Sequence, residues 1–329
     1  MVPAWIGVGG RPHSLPMTYR IVVAEKLAET GISMLAEHGE VDIAIDVDRK
    51  DLLARVGEAD ALVVRSATSV DAEMLSVSPR LSVVGRAGIG VDNVDLEAAA
   101  QRGVVVVNAP TANIISAAEL AMALILAQAR HIATADSLTR SGVWDRARFV
   151  GTELYGKTLG VIGAGKIGSL VAQRAAAFGM NPVGFDPYLD SETIRSRGMA
   201  PVEALEDLYA VADFITVHLP RTTETAGMLG AEAFAIMKPG VRIINASRGG
   251  IVDEEALADA IESGQVGGAG LDVYESEPLT ESRLFGLTQV VLTPHLGAST
   301  AEAQDKAGTD VAAAVIEELR GEVSANRVN

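Results

Sequence analysis

Residues 158–168 read TLGVIGAGKIG, an apolar run that leads directly into a glycine-rich turn. The run is typical of a buried strand, and the apolar residues that follow it, from Ile167 to Phe178, recur at helical spacing. A G-x-G-x-x-G turn alone is weak evidence, because glycine-rich turns are common. Between a strand and a helix, however, it predicts a dinucleotide-binding unit.

Each glycine of this turn is expected to have its own role. Gly163 permits the tight turn, Gly165 lets the backbone approach a pyrophosphate, and Gly168 lets the helix pack closely on the strand. The first N–H groups of a helix and its dipole both favour an anion. We therefore expect the phosphates of a dinucleotide to bind at this turn.

The next predicted strand ends at Asp186, 18 residues after Gly168. A carboxylate at this position can accept hydrogen bonds from the ribose hydroxyls of the cofactor. The same negative charge would repel the additional phosphate of NADP. The sequence therefore predicts NAD as the cofactor.

Short apolar runs alternate with helical patterns on both sides of this turn. This alternation is typical of doubly wound parallel α/β sheets. The predicted strands are 21–24, 41–45, 61–64, 81–84 and 104–107, and then 158–163, 182–186, 213–217, 241–245, 269–272 and 289–293.

Two helices are predicted with definite ends. A long apolar helix is expected at 113–130, buried as a crossover or as a contact between subunits. The last helix is expected to begin with a capping box from Ser299 to Glu302 and to end at Gly321.

The composition argues against several classes of protein. The net charge of −16 disfavours nucleic-acid binding, which needs a basic surface. The chain has no cysteine, so disulfides, thiolate nucleophiles and zinc–thiolate sites are excluded. No two histidines have the i, i+4 spacing of a helical metal site, and no metal is predicted.

No membrane-spanning segment is expected, and residues 1–17 lack the pattern of a secretory signal. We expect a cytoplasmic protein with a loose extension at 1–17.

Three polar residues follow successive predicted strands in the second half of the chain. Arg248, Glu277 and His295 are expected at one edge of the sheet, where doubly wound folds bind their ligands. Histidine is the natural base for the hydroxyl proton of an alcohol, and a carboxylate could orient its imidazole and favour its protonated form. An arginine can bind a substrate carboxylate with two hydrogen bonds and polarise a carbonyl. Singly, these residues could be a surface ion pair, a solvated loop residue and a structural histidine.

The chain resembles the D-isomer-specific 2-hydroxyacid dehydrogenases. The resemblance spans roughly residues 20–310, and several motifs occur in the order of that family. They are VVRSAT (63–68), VVGRAGIGVDNVD (83–95), VVNAPTANIISAAE (106–119), GTELYGKTLGVIGAGKIG (151–168), VHLPRTTETAGML (217–229), NASRGGIVDE (245–254), GLDVYESEP (270–278) and TPHLGASTAEAQ (293–304).

This resemblance implies a Rossmann NAD-binding domain, residues 109–297, inserted in a flavodoxin-like substrate-binding domain formed by 18–108 and 298–329. It assigns the catalytic roles to Arg248, Glu277 and His295. The implied NAD contacts, besides Gly163, Gly165 and Gly168, are Lys166, Ile167, Asp186, His218, Leu219, Pro220, Ala246, Asp272 and Gly297.

Two arginines point to a phosphorylated substrate. Arg65 and Arg86 each follow a predicted strand of the first domain, where a distal anionic group could be bound. Ordinary salt bridges are the alternative for both. Members of the family that oxidise 3-phospho-D-glycerate to 3-phosphohydroxypyruvate, the first step of serine biosynthesis, are the most similar. This likeness implies further substrate contacts at Ser66, Gly88 and Ile89, and at Arg146 reaching the phosphate from a neighbouring subunit.

Other interpretations remain open at this point. The chain could reduce glyoxylate, hydroxypyruvate or a phosphonate analogue, or it could be an NAD-sensing protein like the corepressors that resemble this family. Ser247 stands where alanine is usual, which is a mild departure. The chain ends about where the catalytic domains of the family end, so a form without a C-terminal regulatory module is expected. A homodimer or homotetramer is expected from the apolar 113–130 helix.

Overall fold

The computed structural model describes residues 19–329. The chain divides into two compact units, the first formed by Met1–Pro110 with Gln304–Asn329 and the second by Thr111–Ala303. The predicted extension at 1–17 lies outside the described residues. The boundaries implied by the family resemblance lie after residues 108 and 297.

The first unit contains a five-stranded parallel sheet in the order β2-β1-β3-β4-β5, which is the flavodoxin-like order. Short aliphatic runs form its central strands because both faces of such a sheet are covered by helices. The strands are β1 (Tyr19–Val23), β2 (Gly39–Ile43), β3 (Ala61–Val64), β4 (Val83–Arg86) and β5 (Val105–Asn108).

The second unit contains a seven-stranded parallel sheet in the order β12-β11-β10-β9-β6-β7-β8. The order reverses between β6 and β9, as it does at the switch point of a Rossmann fold. Strand β8, of only two residues, is an addition to the six predicted strands. The strands are β6 (Thr158–Ile162), β7 (Asn181–Phe185), β8 (Ala200–Pro201), β9 (Phe214–Val217), β10 (Val241–Asn245), β11 (Val266–Leu271) and β12 (Val290–Leu292).

Helices connect most of these strands. They are α1 (Glu29–Ala36), α2 (Arg49–Val56), α3 (Ala72–Val77), α4 (Leu96–Gln101), α5 (Ile114–Ala129), α6 (Ile132–Arg140), α7 (Lys166–Ala177), α8 (Ser191–Ser196), α9 (Leu205–Val211), α10 (Ala231–Ile236), α11 (Glu254–Glu262) and α12 (Ala301–Leu319). Two short 3₁₀ helices occur at Arg146–Phe149 and Arg283–Gly286.

The last helix packs directly on the first sheet. A side chain at Gly85, in β4, would lie 2.6 Å from Val315 and 2.8 Å from Val311, both of which are buried. The absence of a side chain at Gly85 therefore creates the space that α12 fills. The chain then continues along β5, where the N–H of Val328 donates to the carbonyl of Val106 at 2.9 Å.

The predicted capping box of α12 was wrong by one residue. The helix begins at Ala301, and the hydroxyl of Thr300 accepts the N–H of Ala303 at 3.1 Å. An N-cap side chain bonds the N–H group three residues ahead, so Thr300 rather than Ser299 occupies the cap position. The N–H of Ser299 instead donates to the carbonyl of Leu296 at 2.8 Å. The predicted stop is correct, since α12 ends at Leu319 and Gly321 has φ of +78°.

The predicted apolar helix is α5, and most of its residues are buried. Among the described residues, no single helix has the length and apolar character needed to cross a membrane. Within residues 19–329, α5 and α6 meet that test of length and composition only when taken together, and the two are bent by 64° at the break between them.

Candidate active site

Five neighbouring strands of the second unit end at the same level. Ile162 pairs with Val217, Val217 with Asn245, Asn245 with Leu271, and Leu271 with Leu292. All pairs are parallel, so the loops that follow these strands leave the sheet at one edge. Doubly wound sheets bind ligands at this carboxyl edge.

The glycine-rich turn after β6 is closely packed at two of its three glycines. Gly163 has φ of +92°, and a Cβ there would lie 2.5 Å from the carbonyl oxygen of His218. A Cβ at Gly168 would overlap the carbonyl oxygen of Gly163. At Gly165 a Cβ would meet no atom of the described residues within 4 Å other than those of its chain neighbours. The protein itself therefore requires Gly163 and Gly168, whereas the space beside Gly165 can admit a ligand.

The N-terminus of α7 faces the same turn. Its N-cap residue is Gly165, which has no side chain to accept a hydrogen bond from the first N–H groups of the helix. The carboxylate of Asp186, directly after β7, accepts the N–H of Ala164 at 3.1 Å and the N–H of Tyr188 at 3.0 Å. The turn thus combines a helix N-terminus suited to phosphate with a fixed acidic group suited to ribose hydroxyls.

His218 follows β9 and borders this turn. Its Nε2 atom lies 2.9 Å from the hydroxyl of Thr216, which is fully buried. Burial lowers the pKa of His218 to about 4 because the charged imidazolium would lose its hydration. The side chain is therefore neutral at physiological pH.

His295 and Glu277 are in direct contact. Nδ1 of the imidazole lies 2.6 Å from Oε2 of the carboxylate, and the N–H of Tyr274 donates to Oε1 at 3.0 Å. The side chains are 47% and 34% exposed, so both remain accessible within their own unit. An ionised carboxylate can only accept, so this contact places a proton on Nδ1 and leaves Nε2 available for proton exchange.

A buried carboxylate organises the loop that carries His295. Asp272 is fully buried, and its two oxygens accept the hydroxyl of Thr293 at 2.6 Å, the N–H of Leu296 at 2.7 Å and the N–H of Gly297 at 2.9 Å. Its carbonyl oxygen also accepts the N–H of His295 at 2.9 Å. His295 has φ of +54°, a left-handed conformation that these four hydrogen bonds can maintain.

Tyr274 joins the loops after β11 and β12. Its buried hydroxyl lies 3.1 Å from the carbonyl oxygen of Leu271 and 2.9 Å from that of Thr293. Burial raises the pKa of this hydroxyl, so it remains a hydrogen-bond donor. The segments that carry Glu277 and His295 are therefore joined by a neutral hydrogen-bond donor.

Arg248 lies in the loop after β10, and a buried amide shapes this loop. The side chain of Asn245 donates to the carbonyl of Arg248 at 2.9 Å and accepts the N–H of Ser247 at 3.0 Å. The hydroxyl of Ser247 makes a further bond to the same amide oxygen at 2.8 Å. The serine that departs from the family pattern thus adds one hydrogen bond to the arginine loop.

In the first unit, the residues predicted to contact the substrate lie at or after the ends of β3 and β4. Arg65 and Ser66 follow β3, while Arg86 ends β4 and its guanidinium covers Gly88. The amide of Asn108 donates to the carbonyl of Ile89 at 2.6 Å. The parallel pairing of Val64 with Arg86 brings these two loops to the same edge of the first sheet.

Arg146 is not at a strand's carboxyl end. It begins the 3₁₀ helix Arg146–Phe149, which is largely exposed and leads towards the amino end of β6. Within the second unit, Arg146 is therefore not part of the loops that carry Arg248, Glu277 and His295.

Sequence reasoning missed several residues that support the site. Glu25 and Asn93 bond the backbone of the Arg65 loop, while Tyr274 and Asn245 bond the backbone of the loops that carry His295 and Arg248. Each acts through contacts to backbone atoms that are distant in sequence. Across residues 19–329, no group of three or more His, Asp or Glu side chains could hold a metal ion.

The NAD-binding-domain model of the D-isomer specific 2-hydroxyacid dehydrogenases matches residues 122–297. The chain belongs to this family. It is 57% identical over 316 residues to D-3-phosphoglycerate dehydrogenase of Mycobacterium tuberculosis (strain ATCC 25618 / H37Rv), a match that covers 96% of the chain and 59% of that relative. The chain thus spans about three fifths of the length of the curated relatives it matches.

Solved structures show the same fold. The crystal structure of the TT0316 protein from Thermus thermophilus has a TM-score of 0.86 and 33% identity, covering 94% of this chain and 100% of that chain. NAD⁺-bound 3-phosphoglycerate dehydrogenase of Entamoeba histolytica has a TM-score of 0.79 and 27% identity, covering 95% of this chain and 99% of that chain.

Proposed function

We propose that the protein is an NAD-dependent dehydrogenase that interconverts 3-phospho-D-glycerate and 3-phosphohydroxypyruvate, the first step of serine biosynthesis. The observation that carries the proposal is the 2.6 Å contact between His295 and Glu277 at the carboxyl edge of a Rossmann sheet. A histidine paired with a carboxylate can act as the general base that takes the hydroxyl proton when an alcohol is oxidised.

The residues around the glycine-rich turn fit NAD. The open space at Gly165 and the uncapped N-terminus of α7 suit a pyrophosphate. The fixed carboxylate of Asp186 suits the ribose hydroxyls. We assign further cofactor contacts to Lys166, Ile167, His218, Leu219, Pro220, Ala246, Asp272 and Gly297. NAD, when bound, supplies the acceptor for the hydride that leaves the substrate's α-carbon.

The protein's own groups control the proton and the substrate. Nε2 of His295 takes the hydroxyl proton during oxidation and returns it during reduction. Glu277 holds the Nδ1 proton, fixes the ring's orientation and stabilises the imidazolium that forms. Arg248 binds the substrate carboxylate and polarises the carbonyl oxygen that develops.

A phosphorylated substrate is favoured by the arginines of the first unit and by the relatives. We assign recognition of the anionic groups to Arg65, Ser66, Arg86, Gly88 and Ile89. In a chain of net charge −16, arginines at strand ends provide the local positive potential that a polyanion requires. The Mycobacterium tuberculosis relative is named D-3-phosphoglycerate dehydrogenase, which supports the same substrate.

We also propose a homodimer or homotetramer. Large apolar side chains are exposed around α6 and the segment that follows it. Trp144 and Val150 are both 81% exposed, and Ile132 is 55% exposed. Large apolar side chains exposed to solvent are typical of interaction surfaces, and a second copy is the occupant we propose. Arg146 lies within this segment, and we assign to it a contact with the phosphate of the substrate bound to the neighbouring subunit.

The test is NADH consumption at neutral pH with 3-phosphohydroxypyruvate, hydroxypyruvate and glyoxylate. Wild type, Arg86→Ala and Arg80→Ala are compared, since Arg80 is an exposed arginine in an ion pair with Asp60 ahead of the amino end of β4. We expect a strong preference for the phosphorylated acid that Arg86→Ala abolishes and Arg80→Ala retains. Equal use of the unphosphorylated acids by wild type would contradict the proposed substrate. Absence of turnover with all three acids would contradict the proposed dehydrogenase activity.

A further inference from the structure

We propose that Glu25 is a positioning residue that fixes the loop Arg65–Thr68 for substrate binding. This inference rests on the proposed function and deepens it, because Arg65 and Ser66 are assigned to the anionic end of the substrate. Glu25 lies two residues after β1, at the carboxyl edge of the first sheet, and is only partly exposed.

The carboxylate of Glu25 accepts three backbone N–H groups of one loop. Oε1 accepts from Arg65 at 2.9 Å and from Thr68 at 2.9 Å, and Oε2 accepts from Ala67 at 3.2 Å. Strand β3 ends at Val64, so these amides lie beyond the sheet's own hydrogen bonds. Backbone donors need a partner, and hydrogen bonds to a charged acceptor are stronger than neutral ones.

The same loop is bonded through its carbonyl groups by Asn93. The amide nitrogen of Asn93 donates to the carbonyl of Arg65 at 2.7 Å and to that of Thr68 at 2.6 Å. Nε of Arg86 lies 3.5 Å from the amide oxygen of Asn93. The loop is therefore bonded through its N–H groups by Glu25 and through its carbonyl groups by Asn93, which also approaches Arg86.

The carboxylate of Glu25 differs from that of an ordinary ion pair because it accepts backbone N–H groups. The main-chain N–H of Arg65 bonds this carboxylate, whereas the guanidinium of Arg65 bonds the carbonyl of Lys26. This side-chain hydrogen bond is long, at 3.4 Å from Nη1 to the carbonyl oxygen. Glu25 thus fixes the backbone of the loop while the guanidinium is left to bind an anion.

The experiment compares Glu25→Gln, Glu25→Asp and the control Asp60→Asn in the full chain. Glutamine removes the charge and turns one acceptor into a donor, which faces the loop's N–H groups. Asp60 serves as the control because its carboxylate, which also pairs with Arg80, accepts the N–H of Arg20 at 2.8 Å at the opposite, amino end of β3. The measurements are KM and kcat for 3-phosphohydroxypyruvate and hydroxypyruvate, the Kd of NADH, and hydrogen exchange of the 65–68 amides.

We expect Glu25→Gln to raise KM for 3-phosphohydroxypyruvate about tenfold or more, since small displacements of binding groups have large effects. Its kcat, its KM for hydroxypyruvate and its NADH affinity should change less than about threefold, and exchange of the 65–68 amides should accelerate. Glu25→Asp should restore part of the affinity, and Asp60→Asn should leave every KM near wild type.

Unchanged KM in Glu25→Gln, or the same change in Asp60→Asn, would overturn the positioning role. Failure of the proposed function is seen separately, as a wild-type enzyme that does not prefer 3-phosphohydroxypyruvate. In that case amide exchange, and KM for whichever acid is used, still decide the role of Glu25. Amides at 65–68 that exchange equally fast in wild type and Glu25→Gln would then reject it.

Discussion

Nδ1 of His295 and Oε2 of Glu277 lie 2.6 Å apart, while the other oxygen of Glu277 accepts the N–H of Tyr274. Both carboxylate oxygens are therefore engaged, and the side chain has little freedom to leave the imidazole. The ring in turn has Nε2 as its accessible nitrogen. The contact with Glu277 therefore determines which tautomer of His295 is present.

Replacement of Glu277 by glutamine should reduce kcat by about 100-fold or more, because an amide can donate to Nδ1 and stabilise the opposite tautomer. The Kd of NADH, followed by fluorescence, should remain near wild type. Steady-state rates with the preferred 2-keto acid provide the measurement. A kcat within about threefold of wild type would refute the assigned role.

Two glycines of the turn should respond differently to alanine. Gly168→Ala places a methyl group against the carbonyl of Gly163 and should destabilise the fold by about 2 kcal/mol. Gly165→Ala meets no atom of the described residues within 4 Å other than those of its chain neighbours, so it should preserve the melting temperature and weaken NADH binding. Thermal unfolding and NADH titration of both variants test the distinction, which fails if Gly165→Ala also unfolds early.

His218 should remain neutral down to about pH 5, because burial lowers its pKa to about 4. The folded-state pKa lies below the unfolded value of 6.5, so the associated stability is present above pH 6.5 and is lost as the pH falls towards 4. NMR titration of the imidazoles measures this pKa directly. Urea unfolding at pH 5 and pH 7 should show a smaller pH dependence in His218→Gln, and an imidazole that titrates near 6.5 would contradict the expectation.

Asp186 should determine the preference between NADH and NADPH. Asp186→Ser should raise the ratio of kcat/KM for NADPH to that for NADH by about tenfold or more, because opposing like charges cost several kcal/mol. Asp190→Asn is the matched control, since that carboxylate accepts the N–H of Thr193 at the start of α8. An unchanged ratio in Asp186→Ser would mean that another group excludes the additional phosphate.

Most of the fold could be predicted because parallel strands buried on both faces are continuous apolar runs. Strand β8 was missed because a two-residue strand, Ala200–Pro201, has no periodicity to detect. The cap of α12 was placed one residue early because serine and threonine are adjacent at 299 and 300 and both can cap.

The positions of Arg248 and His295 could be predicted because each lies on a loop that follows an apolar strand, three residues beyond the ends of β10 and β12. The supporting residues could not be predicted, because Asp272, Tyr274 and Glu25 act through hydrogen bonds to backbone atoms of other loops. Such contacts depend on which loops the sheet brings together. The resemblance named Asp272 only as a cofactor contact, whereas both of its carboxylate oxygens bond the loop that carries His295.

The packing of α12 against Gly85 also determines the order in which the chain can fold. The first unit needs Val311 and Val315, and its strand β5 needs Val328, so its core remains incomplete until residues 311–328 have been synthesised. The second unit is continuous in sequence and has no such delay. During refolding of the full chain, pulsed hydrogen exchange should protect β9 and β10 before β4 and β5, since distant contacts close slowly. The strands of the first unit, although they precede those of the second unit in sequence, would then become native after them.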